Sequence, residues 1–377
     1  MIDFEHPTFF DAVYLNGFIY GSNIATNDLM RINPDTLQIE GIIDLQMSYP
    51  PGRWRYHYFN KIIAYKDKVV LLPFFSDGIA IIYNSLTGDI SKYDLGKYSN
   101  DKWTPLPYRV CVLENLCYLV PSSLDKSIKT FNMLDGSIEE VAAFSTELLR
   151  CYPEAVIKQN EVEICGDKIW MRIEASGNFI WFNCNHLTSG VISIPGIDNK
   201  RIGYKPTKNH IWYMTSDGGV LYCYQHDEAN LKEYHISSDD QTRYIPFALE
   251  DYILLYPAIG YDPKDIKTVN IANYEIFSYR GLLPDISIQL NDFHKGLFGP
   301  YCVKQSGYNE VVLLPKAVSR AIRINAERHS IDIIEMTLSG SEFTQYLSNT
   351  YKDYIFRNNN ILHEDNVIDI KNFAIML

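Results

Sequence analysis

The chain has 377 residues and a formal net charge of -12, and its 46% hydrophobic and 21% charged residues are normal for a folded protein and exclude a disordered one. The acidic balance argues against nucleic acid as a partner, since that binding needs a basic surface to displace counterions from phosphates. Aromatic residues make up 14%, with 28 Tyr and 18 Phe, and because both favour strands the composition predicts a β-rich fold.

The sequence also predicts where the protein works. No stretch reaches the roughly 18 apolar residues that a membrane-spanning helix needs, so no membrane is expected. Residues 1–6 are acidic and lack the basic and apolar regions of a signal peptide. Seven cysteines are widely spaced without a CxxC pair, which does not support a zinc ribbon and suggests buried, reduced thiols. We therefore expect a cytoplasmic protein with no cofactor and no metal.

The strand patterns begin near the N-terminus, at residues 17–21 and 29–33, and the first complete unit follows them. Its four apolar segments lie at residues 61–65, 69–73, 79–83 and 89–93. A turn at residues 66–68, a loop around Gly78 and a turn at residues 84–88 separate them, and these contain the residue types that turns require. Four short strands in succession predict one antiparallel sheet.

The same unit recurs along the chain. A polar residue follows the third strand of each copy, and the set consists of Asn33, Asn84, Asn132, Asn185, Gln225, Asn270 and Asn325. Their spacing of about 40 to 55 residues is close to the period of propeller blades. Four copies end the second strand with proline, at Pro73, Pro121, Pro257 and Pro315. Proline cannot donate to a sheet, so it suits the point where a strand ends.

This pattern resembles the broad β-propeller superfamily over roughly residues 9–340, and it predicts an all-β, seven-bladed β-propeller as domain 1–340. The WD dipeptide and the repeated double glycine of kelch proteins are missing, so the resemblance carries the architecture and no functional residues. Two β domains would need a linker that the chain lacks, and a β-helix would need shorter repeats.

The C-terminal segment, residues 341–377, has a different pattern. Apolar residues recur at helical spacing, first at Phe343, Leu347 and Tyr354, and then at Val367 and Ile370. We expect a short helical extension. Two roles remain open for it, since an amphipathic helix either packs on the propeller as a cap or docks a partner.

Candidate binding residues follow from the propeller topology. Connections between blades and those between second and third strands share one face, where function is expected. The ligand-binding candidates on that face are Arg53, Trp54, Arg55, His57, Trp103, Arg109, Tyr261, Lys264 and His294, and the same loops contain Asp125 and Lys126. Aromatic rings beside guanidinium groups suit sugars, aromatic side chains, carboxylates or phosphates. The alternative is that both tryptophans pack between blades and the arginines are solvated.

Catalytic motifs do not occur in the chain. It has no GxSxG, HExxH or Walker A sequence, and its nine histidines show no ligand spacing on a helix. His57, His226, His235 and His294 remain candidates to meet at the central channel. The catalytic residues are therefore left unassigned.

Three functions remain open. The leading hypothesis is a binding module or scaffold that holds a protein, peptide or glycan ligand on the loop-rich face of the propeller. The alternative is an enzyme, whether a hydrolase, a lyase or a peptide- or glycan-modifying protein, with a site assembled from several blades at the channel mouth. A third hypothesis is a structural subunit that docks a partner through the C-terminal helix.

Overall fold

A computed structural model describes residues 9–23, 28–45, 59–73, 78–95, 108–142, 144–153, 155–173, 176–194, 197, 202–215, 219–225, 229–236, 244–257, 265–282, 298–307, 309–315 and 320–336. Within these ranges the chain forms seven four-stranded sheets, and each sheet uses four consecutive strands in the order in which they follow along the chain. Every neighbouring pair within a sheet is antiparallel. We number the sheets blade 1 to blade 7.

The first four blades span the strands up to Ser193. Blade 1 consists of β1 (Phe9–Leu15), β2 (Phe18–Asn23), β3 (Leu29–Ile32) and β4 (Ile39–Ile43). Blade 2 consists of β5 (Phe59–Tyr65), β6 (Lys68–Pro73), β7 (Ile79–Asn84) and β8 (Ile90–Asp94). Blade 3 consists of β9 (Tyr108–Leu113), β10 (Leu116–Pro121), β11 (Ile128–Asn132) and β12 (Ile138–Ala142). The helix α1 (Thr146–Cys151) precedes blade 4, which consists of β13 (Ile157–Cys165), β14 (Lys168–Ile173), β15 (Asn178–Asn183) and β16 (Thr188–Ser193).

Three more blades complete the fold. Blade 5 consists of β17 (Ile202–Pro206), β18 (His210–Thr215), β19 (Val220–Gln225) and β20 (Asn230–His235). Blade 6 consists of β21 (Tyr244–Ala248), β22 (Tyr252–Pro257), β23 (Lys267–Asn270) and β24 (Ile276–Ser278). Blade 7 consists of β25 (Phe298–Gly307), β26 (Glu310–Pro315), β27 (Arg320–Asn325) and β28 (Ser330–Glu335).

The blades are arranged as a ring around their first strands. β1 contacts both β5 and β25, and β13 contacts both β9 and β17. The first strand of each blade is therefore the innermost, and the fourth strand is the outermost and most exposed. Contact between β1 and β25 closes the ring. The predicted seven-bladed β-propeller is confirmed.

Seven hydrophobic clusters hold the ring together, one between each pair of adjacent blades. The cluster between blades 1 and 2 contains Leu15 from the first blade and Leu71 from the second. The cluster between blades 7 and 1 joins Ile19 and Met30 to Leu314. Because strands 1 to 3 carry apolar residues on both faces, each blade packs against both neighbours, and burial of apolar surface stabilises every interface.

The closing interface, which we call the seam, joins two complete blades. Each of the two blades takes its four strands from one continuous segment, so none of the described strands is shared across the seam. Side chains make the connection instead. Gln38 Nε2 donates to the Glu335 carbonyl at 3.5 Å, and Arg323 Nη2 donates to the carbonyls of Pro34 and Asp35. Among the residues that the structure describes, packing and polar contacts therefore hold the seam.

The four repeated prolines lie where the sequence predicts them. β6, β10, β22 and β26 each end at proline, and each proline pairs with the beginning of the innermost strand of its blade, as Pro73 does with Phe59 and Pro121 with Tyr108. A residue without an N–H group ends these strands without leaving a buried donor unpaired.

The turn after the third strand has the same hydrogen bonds in most blades. Asn84 Oδ1 accepts the N–H groups of Leu86 at 2.9 Å and Thr87 at 3.1 Å. In blade 4 the corresponding residue is Asn183, which accepts from Asn185 at 3.0 Å and His186 at 2.9 Å. The prediction that Asn185 marks this turn is therefore wrong by two residues. Asn183 ends β15 and is buried, whereas Asn185 is exposed.

The predicted burial of the thiols is confirmed for Cys111, Cys117, Cys184 and Cys223. Burial raises the pKa of the Cys117 thiol to about 12 and that of Cys223 to about 11, which keeps both thiols protonated and unreactive. Cys151 and Cys165 depart from the prediction, because Cys151 lies at the exposed end of α1 and Cys165 is only partly buried.

Two predictions concern helices. The expected helical extension at residues 341–377 lies outside the described residues, so the helical part of the prediction stays a prediction. Within the described ranges, no helix is long and apolar enough to cross a membrane.

Candidate functional site

The strand order gives the propeller two different faces. Second and fourth strands both end at one face, which we call the loop face, and the first and third strands end at the other, which we call the turn face. Tight turns such as Asn16–Gly17 and the repeated asparagine turns lie on the turn face. The longer connections all leave and re-enter the sheets at the loop face, as the sequence predicts.

The candidate binding residues fall in connections that start and end at the loop face. Arg53, Trp54, Arg55 and His57 lie between β4 and β5, Trp103 between β8 and β9, Tyr261 and Lys264 between β22 and β23, and His294 between β24 and β25. These eight residues lie outside the described residues. Arg109 is the exception, since its backbone belongs to β9 and pairs with Val120 near the loop face. The site assignment therefore stays a prediction.

The innermost strands are irregular at the loop face. Shifts in pairing occur between Phe9 and Ala12 in β1 and between Phe59 and Lys61 in β5. Larger shifts occur at residues 157–162 of β13 and 298–303 of β25. All four lie at the beginning of the innermost strand, beside the mouth of the channel. Bulges re-aim side chains and are common next to binding sites.

One hydrogen-bonded cluster connects two of these irregular strands. The Asp11 carboxylate is almost fully buried, accepts the N–H of Ile62 at 2.9 Å, and lies 3.3 Å from Lys61 Nζ. Asp11 belongs to β1 and the other two residues to β5, so the carboxylate fixes blade 1 against blade 2 at the bulges. The Lys61 side chain is 43% exposed, which leaves its ammonium group accessible. Sequence reasoning missed Asp11, because a single aspartate in an apolar strand has no motif.

The loop face is described most fully between blades 3 and 4. Ser145 caps α1 by accepting the Leu148 N–H at 3.3 Å, and Leu148 and Phe144 pack into the cluster between these blades. The Ile157 N–H donates to the Ser122 carbonyl at 2.8 Å and ties the connection to blade 3. Sequence reasoning missed α1, although a serine cap, an early Glu147 and a late Arg150 are the usual signals of a helix.

The candidates Asp125 and Lys126 lie in this ordered region, and both are exposed. The Asp125 carboxylate accepts a hydrogen bond from the Ser123 hydroxyl, which holds the acidic group against its own loop. An exposed carboxylate and an exposed ammonium group in adjacent positions provide one acceptor and one donor for a ligand on this part of the face.

A buried arginine holds the loop face of blade 4. Arg172 is 1% exposed, and its guanidinium donates to the carbonyls of Ser176 at 3.0 Å and Ile197 at 3.3 Å. Ser176 belongs to the connection between β14 and β15, and Ile197 to the connection from blade 4 to blade 5. Arg172 therefore fixes two loop-face connections by charge-assisted hydrogen bonds.

The described histidines lie away from the channel mouth. His235 ends the outermost strand of blade 5, so the expectation that it faces the channel is wrong. His186 and His329 lie in turns of the turn face. Within the described ranges, no group of three His, Cys, Asp or Glu residues could hold a metal ion.

Comparison with known proteins identifies no family. No family model matches the chain, and no curated protein matches its sequence. Many solved structures share the fold. One is a streptogramin B lyase, with a TM-score of 0.54 and 11% identity, which covers 83% of this chain and 92% of that chain.

Two further structures are similar to a comparable degree. PorZ, a surface component of the type-IX secretion system of Porphyromonas gingivalis, has a TM-score of 0.57 and 11% identity, over 89% of this chain and 39% of that chain. KlHsv2 with loop 6CD replaced by a Gly-Ser linker has a TM-score of 0.53 and 10% identity, over 87% and 97%. At such low identity these similarities establish the fold alone.

Proposed function

We propose that the protein is a binding module or scaffold that holds a protein, peptide or glycan ligand on its loop face. The observation that carries the proposal is the topology. The connections that contain the densest aromatic and cationic residues all begin and end at one face of a closed ring. Function in propellers and other scaffolds concentrates in such loops, because the sheets beneath them are rigid.

The described residues support a preformed platform at this face. Asp11 fixes β1 to β5 at the channel mouth, and Arg172 fixes two connections of blade 4. Lys61 adds an accessible positive charge beside the bulged strands. A ligand that meets fixed groups loses less conformational entropy on binding than one that must order the loops itself.

The chemistry of the candidates suggests the ligand class. Trp54 and Trp103 would stack on a sugar ring or an aromatic side chain, and Arg55 and Arg109 would hold a carboxylate or phosphate in a bidentate manner. An acidic peptide or an acidic glycan satisfies both kinds of group. We assign the protein to the cytoplasm as part of the same proposal, on the basis of its buried thiols.

The test compares ligand binding by two double variants. Wild-type protein is applied to a peptide array and a glycan array that both include acidic members, and affinities are measured for the retained ligands. We expect Trp54→Ala with Arg109→Ala to weaken binding by about tenfold or more, since aromatic and arginine residues dominate the energy of binding sites.

The matched control lies on the turn face. Leu86→Ala with Lys208→Ala also removes one exposed apolar residue and one exposed cation, and it should leave the affinities unchanged. The proposal is wrong if no array member is retained, if the first variant binds as well as the wild type, or if the control loses as much affinity. Mass spectrometry of the recovered ligand separates binding from the enzyme alternative, which requires the ligand to be converted.

A further inference from the structure

The outermost strand of blade 4 differs from the other outer strands. β16 has the sequence Thr-Ser-Gly-Val-Ile-Ser and contains no charged residue. β4, β8, β12, β20 and β28 each contain at least one acidic or basic residue, and β24, which contains none, has only three residues. Charges on an exposed edge prevent pairing with another strand, so β16 is the long edge that lacks this protection.

The backbone groups that β16 presents at its edge follow from its pairing with β15. The N–H of Ile194 donates to the Gly177 carbonyl at 2.8 Å. From there the pairing of β16 with β15 continues to Thr188 without a bulge. In an antiparallel pair, hydrogen-bonded and non-hydrogen-bonded residues alternate. The N–H and C=O groups of Ser189, Val191 and Ser193 therefore point away from β15, toward the outside of the blade.

These three residues are symmetric about Val191, with a serine two positions away on each side. An antiparallel second copy of β16 would place Val191 opposite Val191 and Ser189 opposite Ser193. Each outward residue offers one donor and one acceptor, so this register allows about six hydrogen bonds between backbones. Because β16 contains no charged residue, no like charges meet in this register. At the other long edges, like charges would meet and destabilise a self-paired strand.

The face of the strand that includes Gly190 also favours this register. The Trp181 ring lies over Gly190, where an added Cβ would be 2.5 Å from Cζ2 of the indole. In the symmetric register Gly190 lies opposite Ile192 of the second copy, and neighbours across a strand pair lie on the same face of the sheet. The second copy's Ile192 would therefore pack beside the Trp181 ring and cover it.

From this arrangement we infer that two copies of the chain pair through β16 across a two-fold axis. The pairing joins the two fourth blades into one continuous eight-stranded sheet and uses the same surface on both copies, as in most homodimers. Because paired strands run in opposite directions, the two loop faces point in opposite directions and both stay open. The inference goes beyond the proposed function and does not depend on it.

Sedimentation equilibrium of the full chain over a concentration series tests the pairing. We expect the mass of the wild type to rise with concentration toward two chains. Val191→Lys places two ammonium groups opposite each other across the two-fold axis, and it should raise the dimer dissociation constant by about tenfold or more.

The control for Val191→Lys is Glu233→Gln, since Glu233 is exposed at the same repeat position of blade 5 and the substitution also adds one positive unit. It should leave the dimer unchanged. A wild type that stays monomeric throughout the series, a Val191→Lys protein that dimerises normally, or equal weakening by both variants would each overturn the inference.

Cross-linking provides a second measurement that does not depend on how well Val191→Lys folds. In a Cys151→Ser background, which removes an exposed thiol, Val191→Cys should form a covalent dimer on mild oxidation, since paired residues at this position lie within disulfide range. Glu233→Cys in the same background should stay monomeric. A dimer in solution that Val191→Cys does not trap would show that another surface pairs.

Discussion

At the scale of single residues, one backbone position recurs in all seven blades. The fourth residue after the repeated asparagine or glutamine has a positive φ, between 48° and 79°. This residue is glycine in blades 2 and 3, as Gly88 and Gly136. The other five blades contain Leu37, Leu187, Ala229, Tyr274 and His329. A side chain in the left-handed region costs about 1 to 2 kcal/mol, so five blades carry this strain.

Exchanging glycine and alanine between two of these turns measures that strain. Gly88→Ala introduces a Cβ that meets nothing within 4 Å, so its cost of about 1 kcal/mol comes from the backbone alone. Ala229→Gly relieves the strain at an exposed position and should stabilise the protein by about 0.5 kcal/mol, because part of the gain is offset by the freer unfolded chain. Chemical denaturation of both variants measures the two changes in free energy of unfolding.

The two changes in the free energy of unfolding are expected to have opposite signs. If Ala229→Gly destabilised the protein as much as Gly88→Ala, the left-handed geometry would not be the source of the effect. The polar residue that starts each turn can be predicted from the sequence. The residue with positive φ cannot, because only two blades have glycine at that position.

At the scale of elements, the turn residue also links the two halves of a blade. Asn183 Nδ2 donates to the Asp167 carboxylate at 2.8 Å, and Asp167 lies in the turn between β13 and β14. The backbone repeats this connection, since the Cys184 N–H donates to the Asp167 carbonyl at 2.8 Å. Blades 2, 3, 6 and 7 have the same backbone bond. The turn face is thus stabilised by bonds between neighbouring turns of one blade.

The prediction for this element compares two asparagines in one turn. Asn183→Ala removes three hydrogen bonds of a buried side chain and leaves backbone donors unsatisfied, so it should lower the free energy of unfolding by about 2 kcal/mol. Asn185→Ala alters an exposed side chain two residues away and should change it by less than about 0.5 kcal/mol. Urea denaturation distinguishes the two, and equal effects would contradict the assigned role of Asn183.

Most strands could be predicted from alternation and turn residues, because those signals arise within a few residues of each other. The bulges of β13 and β25 could not. Their extra residues continue the strand composition, and a shift in pairing depends on the partner strand, which the local sequence does not specify. For the candidate site, the topology places the loops on one face, and the choice of residues within them stays a prediction. Contacts such as that of Asp11 with Ile62 could not be predicted, because they join different blades.

At the scale of the whole molecule, the seam is distinct from the other six interfaces. The chain passes directly across each of those six, but it crosses the seam only through the rest of the ring. Leu314 and Leu72 both precede the proline that ends a second strand, and both are fully buried, the first at the seam and the second between blades 2 and 3. Substituting each of these two leucines therefore compares the seam with an ordinary interface between blades.

Leu314→Ala and Leu72→Ala should each lower the free energy of unfolding by about 3 kcal/mol, as expected for leucines that leave a cavity. Their hydrogen exchange should differ. Loss of packing at the seam lets blades 1 and 7 separate locally, so Leu314→Ala should accelerate exchange in both blades under native conditions. Leu72→Ala should not, because the covalent connection keeps blades 2 and 3 together. The same exchange pattern in both variants would show that the seam has no special weakness.

The seam also has a consequence for synthesis on the ribosome. Blade 1 is made first, and its partner surface on blade 7 exists only after residue 336 has been added. Translation of the roughly 300 residues in between takes on the order of tens of seconds. During this time Ile19 and Met30 have no blade to cover them, although every later blade finds its predecessor already in place. The nascent chain thus exposes one apolar blade surface until blade 7 has been made, and this surface is where we expect a chaperone to bind.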